Sequence, residues 1–238
     1  MNYFEIVDLH AGYEKGVEII KGISISINKG DSLGVIGLNG SGKSTLGKSI
    51  MNILPIRSGR IFINGEDVTD FKTQTLSMYG FSIMRQGGQV FSTMTVKENL
   101  DIAFGVNSDL VYRDMISKMI PLLNSENAGL LNITADKLSG GQRHQLALAM
   151  SLATHPSLLI LDEPSAGLSP VAVESMYSLL KQVRQSLNMT IILIEQNINK
   201  AISFCDRCLL LSQGKIVEEY CEMSEDEMRI EIMRKLGL

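Results

Sequence analysis

A glycine-rich stretch early in the chain restricts the fold more than any other feature. Gly37 to Thr45 reads GLNGSGKST; it follows the apolar run Leu33 to Ile36 and precedes a helical pattern. This is the G-x-x-x-x-G-K-[ST] pattern of a phosphate-binding loop, in the strand-to-helix context that the loop requires. Glycines let backbone N–H groups close around phosphate oxygens, and the N-terminus of the next helix adds a favourable dipole. The chain is therefore predicted to be an α/β protein of the P-loop NTPase class.

The loop also predicts which groups would bind ATP and Mg²⁺. Lys43 is expected to reach the β- and γ-phosphates, and the Ser44 hydroxyl is expected to bind Mg²⁺. The complete set of loop residues expected to contact ATP is Gly37, Leu38, Asn39, Gly40, Ser41, Gly42, Lys43, Ser44 and Thr45.

A second apolar run ends in two acids. Leu158 to Pro164 reads LLILDEP, which places Asp162 and Glu163 at the carboxyl end of a strand. Ligands of open α/β sheets bind at that edge. Asp162 is predicted to hold Mg²⁺, and Glu163 is predicted to orient or deprotonate the water that attacks the γ-phosphate. Alone, two acids at a strand end indicate only a solvated end; the phosphate loop favours the catalytic interpretation.

Composition excludes several classes of protein. The net charge is -4 and the pI is about 5.5, so no basic face for nucleic acid is expected. No apolar run approaches the ~20 residues that span a bilayer, and the N-terminal MNYFEIVDLH does not resemble a signal peptide. The three cysteines fit a reducing cytosol, and the lone CxxC of Cys205 and Cys208 is interpreted as two small residues between a helix and a strand.

Periodicity predicts the arrangement of elements. Strands are expected around Ile23–Asn28, Asp31–Ile36 and Arg60–Ile63, as an antiparallel layer beside a parallel core, and a mostly helical insert is expected from Thr95 to about Thr154. Leu158–Leu161, an amphipathic helix from Val173 to Leu187, and Thr190–Ile194 form a βαβ unit. A hairpin turning at Gln213-Gly214 and a last helix with a Ser224/Glu227 capping box end the chain.

Leu138 to Gln142 reads LSGGQ and precedes another helical pattern. A serine and two glycines at a helix start make a second potential anion-binding tip. Taken together, GLNGSGKST, LSGGQ and LLILDEP resemble, in this order, the ATP-binding subunit of an ABC transporter. The resemblance covers nearly the whole chain, and LSGGQ distinguishes this family from other P-loop ATPases.

The resemblance implies further site residues. Tyr13 matches the aromatic residue that stacks on adenine, although it could be an ordinary loop tyrosine. Gln86 matches the glutamine that contacts Mg²⁺ and links the site to the membrane partner. The family pairs two cassettes head to tail, so Ser139, Gly140, Gly141 and Gln142 would bind the ATP of the partner chain.

The polar tip Glu195–Asn197 ends the run IILI. Most members of the family carry a γ-phosphate-binding histidine at the position of Gln196, so Gln196 is expected to contact the γ-phosphate here. Glutamine can donate a hydrogen bond but cannot titrate. Together with PSAGLSP after the Walker B acids, this tip resembles the branched-chain amino-acid (LivF-type) group. Arg85 departs from that group, which usually has proline there.

The resemblance implies one ABC ATP-binding domain over residues 1–238. Residues 1–90 and 156–220 would form the RecA-like core with its antiparallel layer, residues 91–155 the helical subdomain, and residues 221–238 a C-terminal helix. The implied partners are transmembrane permease subunits, a second ABC ATPase subunit or another copy of the chain, and indirectly an extracytoplasmic substrate-binding protein. The implied location is the cytoplasmic face of the cell membrane.

Three alternatives to branched-chain amino-acid uptake stay open at this point. Urea and short-amide uptake ATPases are close relatives, and a lipid or lipopolysaccharide transport ATPase would share the mechanism. A non-transport ABC ATPase of translation or DNA repair would usually carry tandem cassettes or long coiled coils, and the chain shows neither.

Overall fold

The computed structural model describes residues 2–13, 17–105, 109–221 and 223–237. The strands are β1 (Phe4–Ala11), β2 (Ile20–Ile27), β3 (Ser32–Ile36), β4 (Ile56–Ile63), β5 (Glu66–Asp67), β6 (Phe81–Met84), β7 (Leu158–Asp162), β8 (Thr190–Glu195), β9 (Arg207–Ser212) and β10 (Lys215–Tyr220). The helices are α1 (Lys43–Ile50), α2 (Thr73–Met78), α3 (Val96–Phe104), α4 (Leu110–Met119), α5 (Gly140–Leu152), α6 (Pro170–Leu187), α7 (Ile198–Phe204) and α8 (Glu225–Leu236).

The larger sheet has the strand order β10-β9-β3-β8-β7-β6. Strands β9, β3, β8, β7 and β6 are parallel, and β10 pairs antiparallel with β9. Every residue of β3, β7 and β8 is buried, as expected for strands covered on both faces. The segments that follow β3, β6, β7 and β8 therefore meet at one edge of the sheet.

A separate four-stranded antiparallel sheet has the order β2-β1-β4-β5. Its inner side chains, such as Phe4 and Ile61, share a hydrophobic cluster with Leu46 of α1 and Ile192 of β8. The predicted antiparallel layer is confirmed, but placing Asp31–Ile36 in it was wrong. Ser32–Ile36 of this range form β3, which lies between β9 and β8 in the parallel sheet, and this central position buries all five of its residues.

The predicted helical segment between β6 and β7 contains α3, α4 and α5, with three 3-10 helices between α4 and α5. Within this segment α4 ends at Met119, and Pro121–Leu123 is a 3-10 turn. Proline cannot continue the hydrogen-bond ladder of a helix interior. Leu100, Ile116 and Leu146 bury their side chains in one cluster.

The end of the chain follows the predicted pattern. Strands β9 and β10 form a hairpin in which Gln213 and Gly214 have positive φ values of 50° and 81°, as a tight hairpin turn requires. Ser224 and Glu227 make reciprocal capping-box hydrogen bonds at the start of α8. Among the described residues, no helix is long and apolar enough to cross a membrane.

Candidate nucleotide-binding and hydrolysis site

The phosphate loop joins β3 to α1 and folds around its own lysine. The Lys43 ammonium donates hydrogen bonds to the carbonyl oxygens of Gly37, at 2.8 Å, and Leu38, at 3.1 Å. Burial lowers the pKa of Lys43, and the nearby carboxylates of Glu163 and Asp162 act in the opposite direction. A desolvated ammonium that donates to carbonyl oxygens is a strong potential donor to phosphate oxygens.

Two positions in the loop require glycine. A Cβ atom on Gly37 would lie 2.2 Å from the carbonyl oxygen of Leu211 in β9, which no side chain can tolerate. Gly42, at the N-cap of α1, has a φ of 107°, in the left-handed region that favours glycine. The backbone therefore takes a path that brings α1 to the carboxyl edge of the sheet.

A cavity of about 330 Å³ opens beside the loop. Its lining residues are Ile19, Asn39, Gly40, Gly42, Lys43, Ser44, Thr45, Gln86 and Glu163. Of the loop residues predicted to contact ATP, Gly37, Leu38 and Ser41 are not among the described residues that line it. Sequence reasoning missed Ile19, because an apolar residue just before a strand gives no signal that separates a cavity wall from ordinary core.

The two predicted Mg²⁺ ligands lie side by side. The Ser44 hydroxyl donates to Asp162 Oδ1 at 2.8 Å, although the two residues belong to different elements. Burial raises the pKa of Asp162, while the bond from Ser44 and the charges of Lys48 and Lys43 lower it. A hydroxyl and a carboxylate oxygen fit Mg²⁺, which uses few protein ligands and completes its octahedron with phosphate oxygens and water.

Glu163 and Gln86 are brought together from the ends of β7 and β6. The Gln86 side-chain amide donates to Glu163 Oε2 at 2.7 Å. Glu163 has a φ of 48°, rare for a residue other than glycine, and its N–H donates to the Ile194 carbonyl oxygen at 2.9 Å. Such a conformation costs about 1–3 kcal/mol and is typical of functional sites. Burial raises the pKa of Glu163, which favours a role as a general base.

Gln86 contacts Glu163 rather than the predicted Mg²⁺ ligands. Among the hydrogen bonds of the described residues, Gln86 makes none to Ser44 or Asp162. Its place in the wall of the phosphate-loop cavity keeps it next to the site. Arg85, the residue before it, directly follows β6, whose Met84 pairs with Leu161 of β7.

Tyr13 lies after β1 and beside α1. Its ring is half-exposed, its hydroxyl accepts a hydrogen bond from Lys48 Nζ at 3.1 Å, and the same ammonium lies 5.4 Å from the ring centroid. Because Lys48 belongs to the helix that begins at the phosphate loop, the ring is near the loop. An exposed aromatic face in this position can stack on a base.

Gln196 shares a second cavity with Glu163. This cavity has a volume of about 380 Å³ and is lined by Glu163, Ser165, Ala166, Glu195, Gln196 and Asn197. The strand expected over Thr190–Ile194 is one residue longer in the structure. Glu195 is only 2% exposed and belongs to β8, so solvent contact begins at Gln196. Sequence reasoning did not identify Glu195 as a buried residue, because an acid after an apolar run usually indicates a solvated strand end.

The LSGGQ segment caps α5 on a different part of the chain. Ser139 and Gln142 form a capping box, with a hydrogen bond of 3.0 Å from the Ser139 N–H to Gln142 Oε1. The cavity beside the phosphate loop has none of Ser139 to Gln142 among its described lining residues. One chain therefore does not bring its two predicted anion-binding tips together.

The segment after Gln86 packs closely on α5. Gly88 has a φ of 59°, and a Cβ atom there would lie 3.2 Å from the backbone of His144. Gly140 and Gly141, in turn, lie next to Leu168 and Ala172, at 3.6 Å from their side chains for a built Cβ atom. The LSGGQ helix is thus in contact with segments that follow both β6 and β7.

A phosphate loop, a serine–aspartate pair and a strained glutamate at the carboxyl edge of a parallel sheet define a P-loop nucleoside triphosphatase. The family model described as "ABC transporter" matches residues 20–166. The chain therefore belongs to the ABC transporter family, as an ATP-binding subunit that hydrolyses ATP.

Individual proteins and structures agree with this assignment. The chain is 37% identical to a probable branched-chain amino acid transport ATP-binding protein LivF of Archaeoglobus fulgidus, over 88% of each chain. It is 32% identical to the high-affinity branched-chain amino acid transport ATP-binding protein BraG of Pseudomonas aeruginosa, over 86% of this chain and 87% of that protein. The solved structure of cbiO1 from Clostridium perfringens, part of the ABC transporter complex cbiONQ, has a TM-score of 0.81 at 27% identity and covers 99% of this chain and 94% of that one.

Proposed function

We propose that this chain couples ATP hydrolysis to the uptake of branched-chain amino acids, docked on transmembrane permease subunits at the cytoplasmic face of the membrane. The substrate class follows the names of the LivF and BraG relatives. The observation that carries the mechanism is the juxtaposition of the Lys43 loop, the Ser44–Asp162 pair and Glu163 at one edge of the sheet. An extracytoplasmic binding protein would deliver the substrate to the permease.

The residues of the site have distinct roles in this proposal. The loop Gly37–Thr45 surrounds the phosphates, Lys43 donates to the β- and γ-phosphates, and Tyr13 stacks on adenine. Ser44, Asp162 and Gln86 would hold Mg²⁺, which supplies charge neutralisation at the phosphates when bound. To reach that ion, the Gln86 side chain would have to give up the hydrogen bond that it donates to Glu163.

The chemistry at the γ-phosphate needs a base and a donor. Glu163 orients the attacking water and accepts its proton, a role supported by its place in the lining of both cavities of the site. Gln196 donates a hydrogen bond from its carboxamide to the γ-phosphate. It supplies this bond in one protonation state at every pH, unlike a histidine.

The second anion-binding tip acts on a neighbouring cassette. Ser139, Gly140, Gly141 and Gln142 are proposed to close over ATP bound to the phosphate loop of the partner, and the partner's equivalent segment closes over this chain's ATP. The partner is a second ATPase subunit or another copy of this chain. A pair of cassettes would then contain two complete ATP sites, each made from the phosphate loop of one cassette and the LSGGQ segment of the other.

The proposed division of the chain follows these roles. Residues 1–90 and 156–220 form the nucleotide-binding core, residues 91–155 form a helical subdomain that carries the LSGGQ segment, and residues 221–238 form a C-terminal helical appendage. The docking surface for the permease is proposed on the helical subdomain and the segment after Gln86.

Glu163→Gln tests the catalytic assignment. We expect ATP affinity to be retained and kcat to fall by about a hundredfold or more, because the carboxamide cannot accept the proton from water. Affinity is measured by titration with a fluorescent ATP analogue, and kcat is measured by phosphate release. Glu225→Gln, an exposed change on α8, is the matched control and should leave both quantities unchanged. Normal turnover in Glu163→Gln would show that another group is the base.

A further inference from the structure

Glu195 is the last residue of β8, and its carboxylate is buried beside the site. Its Oε1 accepts hydrogen bonds from the hydroxyls of Ser165, at 2.5 Å, and Tyr177, at 2.7 Å. Its Oε2 accepts from the backbone N–H groups of Gln196, at 3.0 Å, and Asn197, at 3.1 Å. Each carboxylate oxygen is thus satisfied by two donors.

A buried acid at this position requires a physical reason. Desolvating a carboxylate is costly unless hydrogen bonds compensate, and four donors from three segments provide that compensation. An aliphatic residue would extend the buried run Ile191–Ile194 without a desolvation cost. The carboxylate of Glu195 instead connects three segments through its four hydrogen bonds, which an aliphatic side chain could not do.

The segments joined by Glu195 are the two that line the Gln196 cavity. Ser165 follows Glu163 by two positions, and Gln196 follows β8 directly. The same segments are linked a second time by the bond from the Glu163 N–H to the Ile194 carbonyl oxygen. Tyr177, the fourth donor, belongs to α6, and its ring packs edge-on against Phe204 of α7.

We propose that Glu195 is a positioning residue that fixes Gln196 and the Glu163–Ala166 segment relative to each other, so that both reach the γ-phosphate as one unit. This inference rests on the proposed role of Gln196 in hydrolysis. Glu195 acts through hydrogen bonding to its neighbours and does not itself contact the nucleotide, since it is 2% exposed and both of its carboxylate oxygens are occupied by donors of the chain.

Two hydroxyls that donate to the same oxygen provide a matched comparison. Ser165→Ala frees the segment after Glu163, so kcat should fall by about tenfold with KM for ATP unchanged. Tyr177→Phe removes the other donor but keeps the ring against Phe204, so it should lower the melting temperature and leave kcat within about twofold. Equal losses of kcat in the two variants would overturn the proposal, because Glu195 would then act only by stabilising this region.

A double-mutant cycle tests whether Glu195 acts through Ser165. Glu195→Ala alone should lower kcat by about tenfold to a hundredfold, and adding Ser165→Ala should cause little further loss. Multiplicative losses would mean that the two side chains act independently and would overturn the proposal. Rates are measured on the full chain, after melting curves establish that each variant is folded.

Glu195→Gln separates positioning from charge. Its carboxamide oxygen can accept from both backbone N–H groups, and its NH₂ can donate to the two hydroxyl oxygens, so kcat should stay within about threefold of the original. A loss as large as that of Glu195→Ala would show that the negative charge is required and would overturn positioning as the role.

Gln196→Ala distinguishes this inference from the proposed function. If Gln196→Ala retains full kcat, the assignment of Gln196 to the γ-phosphate fails. The link between Glu195 and Gln196 then has no effect on hydrolysis, and the proposal in its stated form fails with it. If Gln196→Ala is slow but Ser165→Ala and Tyr177→Phe are equally mild, only the positioning role of Glu195 fails.

Discussion

Two aspartates at opposite ends of the parallel sheet differ in how their charges are compensated. Asp162 is 4% exposed, accepts one hydrogen bond from Ser44, and has a pKa that is raised mainly by burial. Asp206, before β9 at the amino end, is half-exposed; it accepts from the Ser32 N–H and hydroxyl and pairs with Arg184 at 2.5 Å. Burial therefore disfavours the ionised form of Asp162 in the folded protein, whereas the Asp206 side chain accepts from three donors.

This contrast predicts opposite effects of removing each charge. Asp162→Asn should raise the Tm of the nucleotide-free protein at neutral pH by about 2 °C or more, because it removes an undercompensated buried charge, while MgATP turnover falls. Asp206→Asn, the comparison at an exposed aspartate with three donors, should lower Tm. Melting curves followed by circular dichroism measure both changes.

The pH dependence of the Asp162→Asn effect has a definite sign. A carboxyl whose folded-state pKa lies above its ordinary value of 3.8 makes the protein less stable as pH rises through that range. The stabilisation by Asp162→Asn should therefore be complete at neutral pH and fade as the pH falls toward 3.8. A gain in Tm that persists unchanged at low pH would contradict this explanation.

At the scale of elements, the sequence predicts best where local pattern and global packing agree. The phosphate loop, the βαβ unit of β7, α6 and β8, and the hairpin of β9 and β10 are all evident from their residues. Strand β1 was not predicted, because its register is interrupted by bulges near Val7 to His10. The alternation of apolar and polar residues that would reveal a strand is lost across a bulge.

The site was predictable to the extent that its residues occur in local motifs. Lys43, Ser44, Asp162 and Glu163 follow from patterns within a few positions. The four-donor environment of Glu195 depends on Ser165 and Tyr177, which are 30 and 18 positions away in sequence. Such long-range contacts are set by how α6 packs against β8, which no local pattern encodes.

The LSGGQ segment is expected to affect ATP hydrolysis without affecting nucleotide binding by the isolated chain. Ser139→Arg should leave the affinity of the isolated chain for a fluorescent ATP analogue within about twofold, because the start of α5 does not line the described phosphate-loop cavity. Lys43→Ala should weaken it by about tenfold or more, since the buried ammonium is removed. In the assembled transporter both variants should hydrolyse ATP slowly.

The outcome that contradicts this arrangement is a large loss of nucleotide affinity in the isolated Ser139→Arg chain. It would mean that α5 acts on the phosphate loop of its own chain. A mixture of the Ser139→Arg and Lys43→Ala chains adds a test of pairing. Recovery of hydrolysis in the mixture would indicate that two copies of this chain complete one site.

At the scale of the whole molecule, the proposed docking on permease subunits can be tested by identifying the proteins that accompany this chain. Purification from native membranes with ATP present, followed by mass spectrometry, should recover two multi-spanning proteins. A second cassette protein in the same complex would establish a mixed pair. Ribosomal or DNA-bound partners without membrane proteins would contradict the transport assignment, and permeases specific for urea, amides or lipids would change only the substrate.

The hydrogen bond from Gln86 to Glu163 links the segment after β6 to the group proposed as the base. The amide that would meet Mg²⁺ instead engages the carboxylate that would activate water, and its segment packs on α5 through Gly88. While this bond holds, Oε2 of Glu163 is occupied by the Gln86 amide and is not free to accept a proton from water. A shift of the segment after β6 would therefore act on the base itself as well as on the Mg²⁺ site.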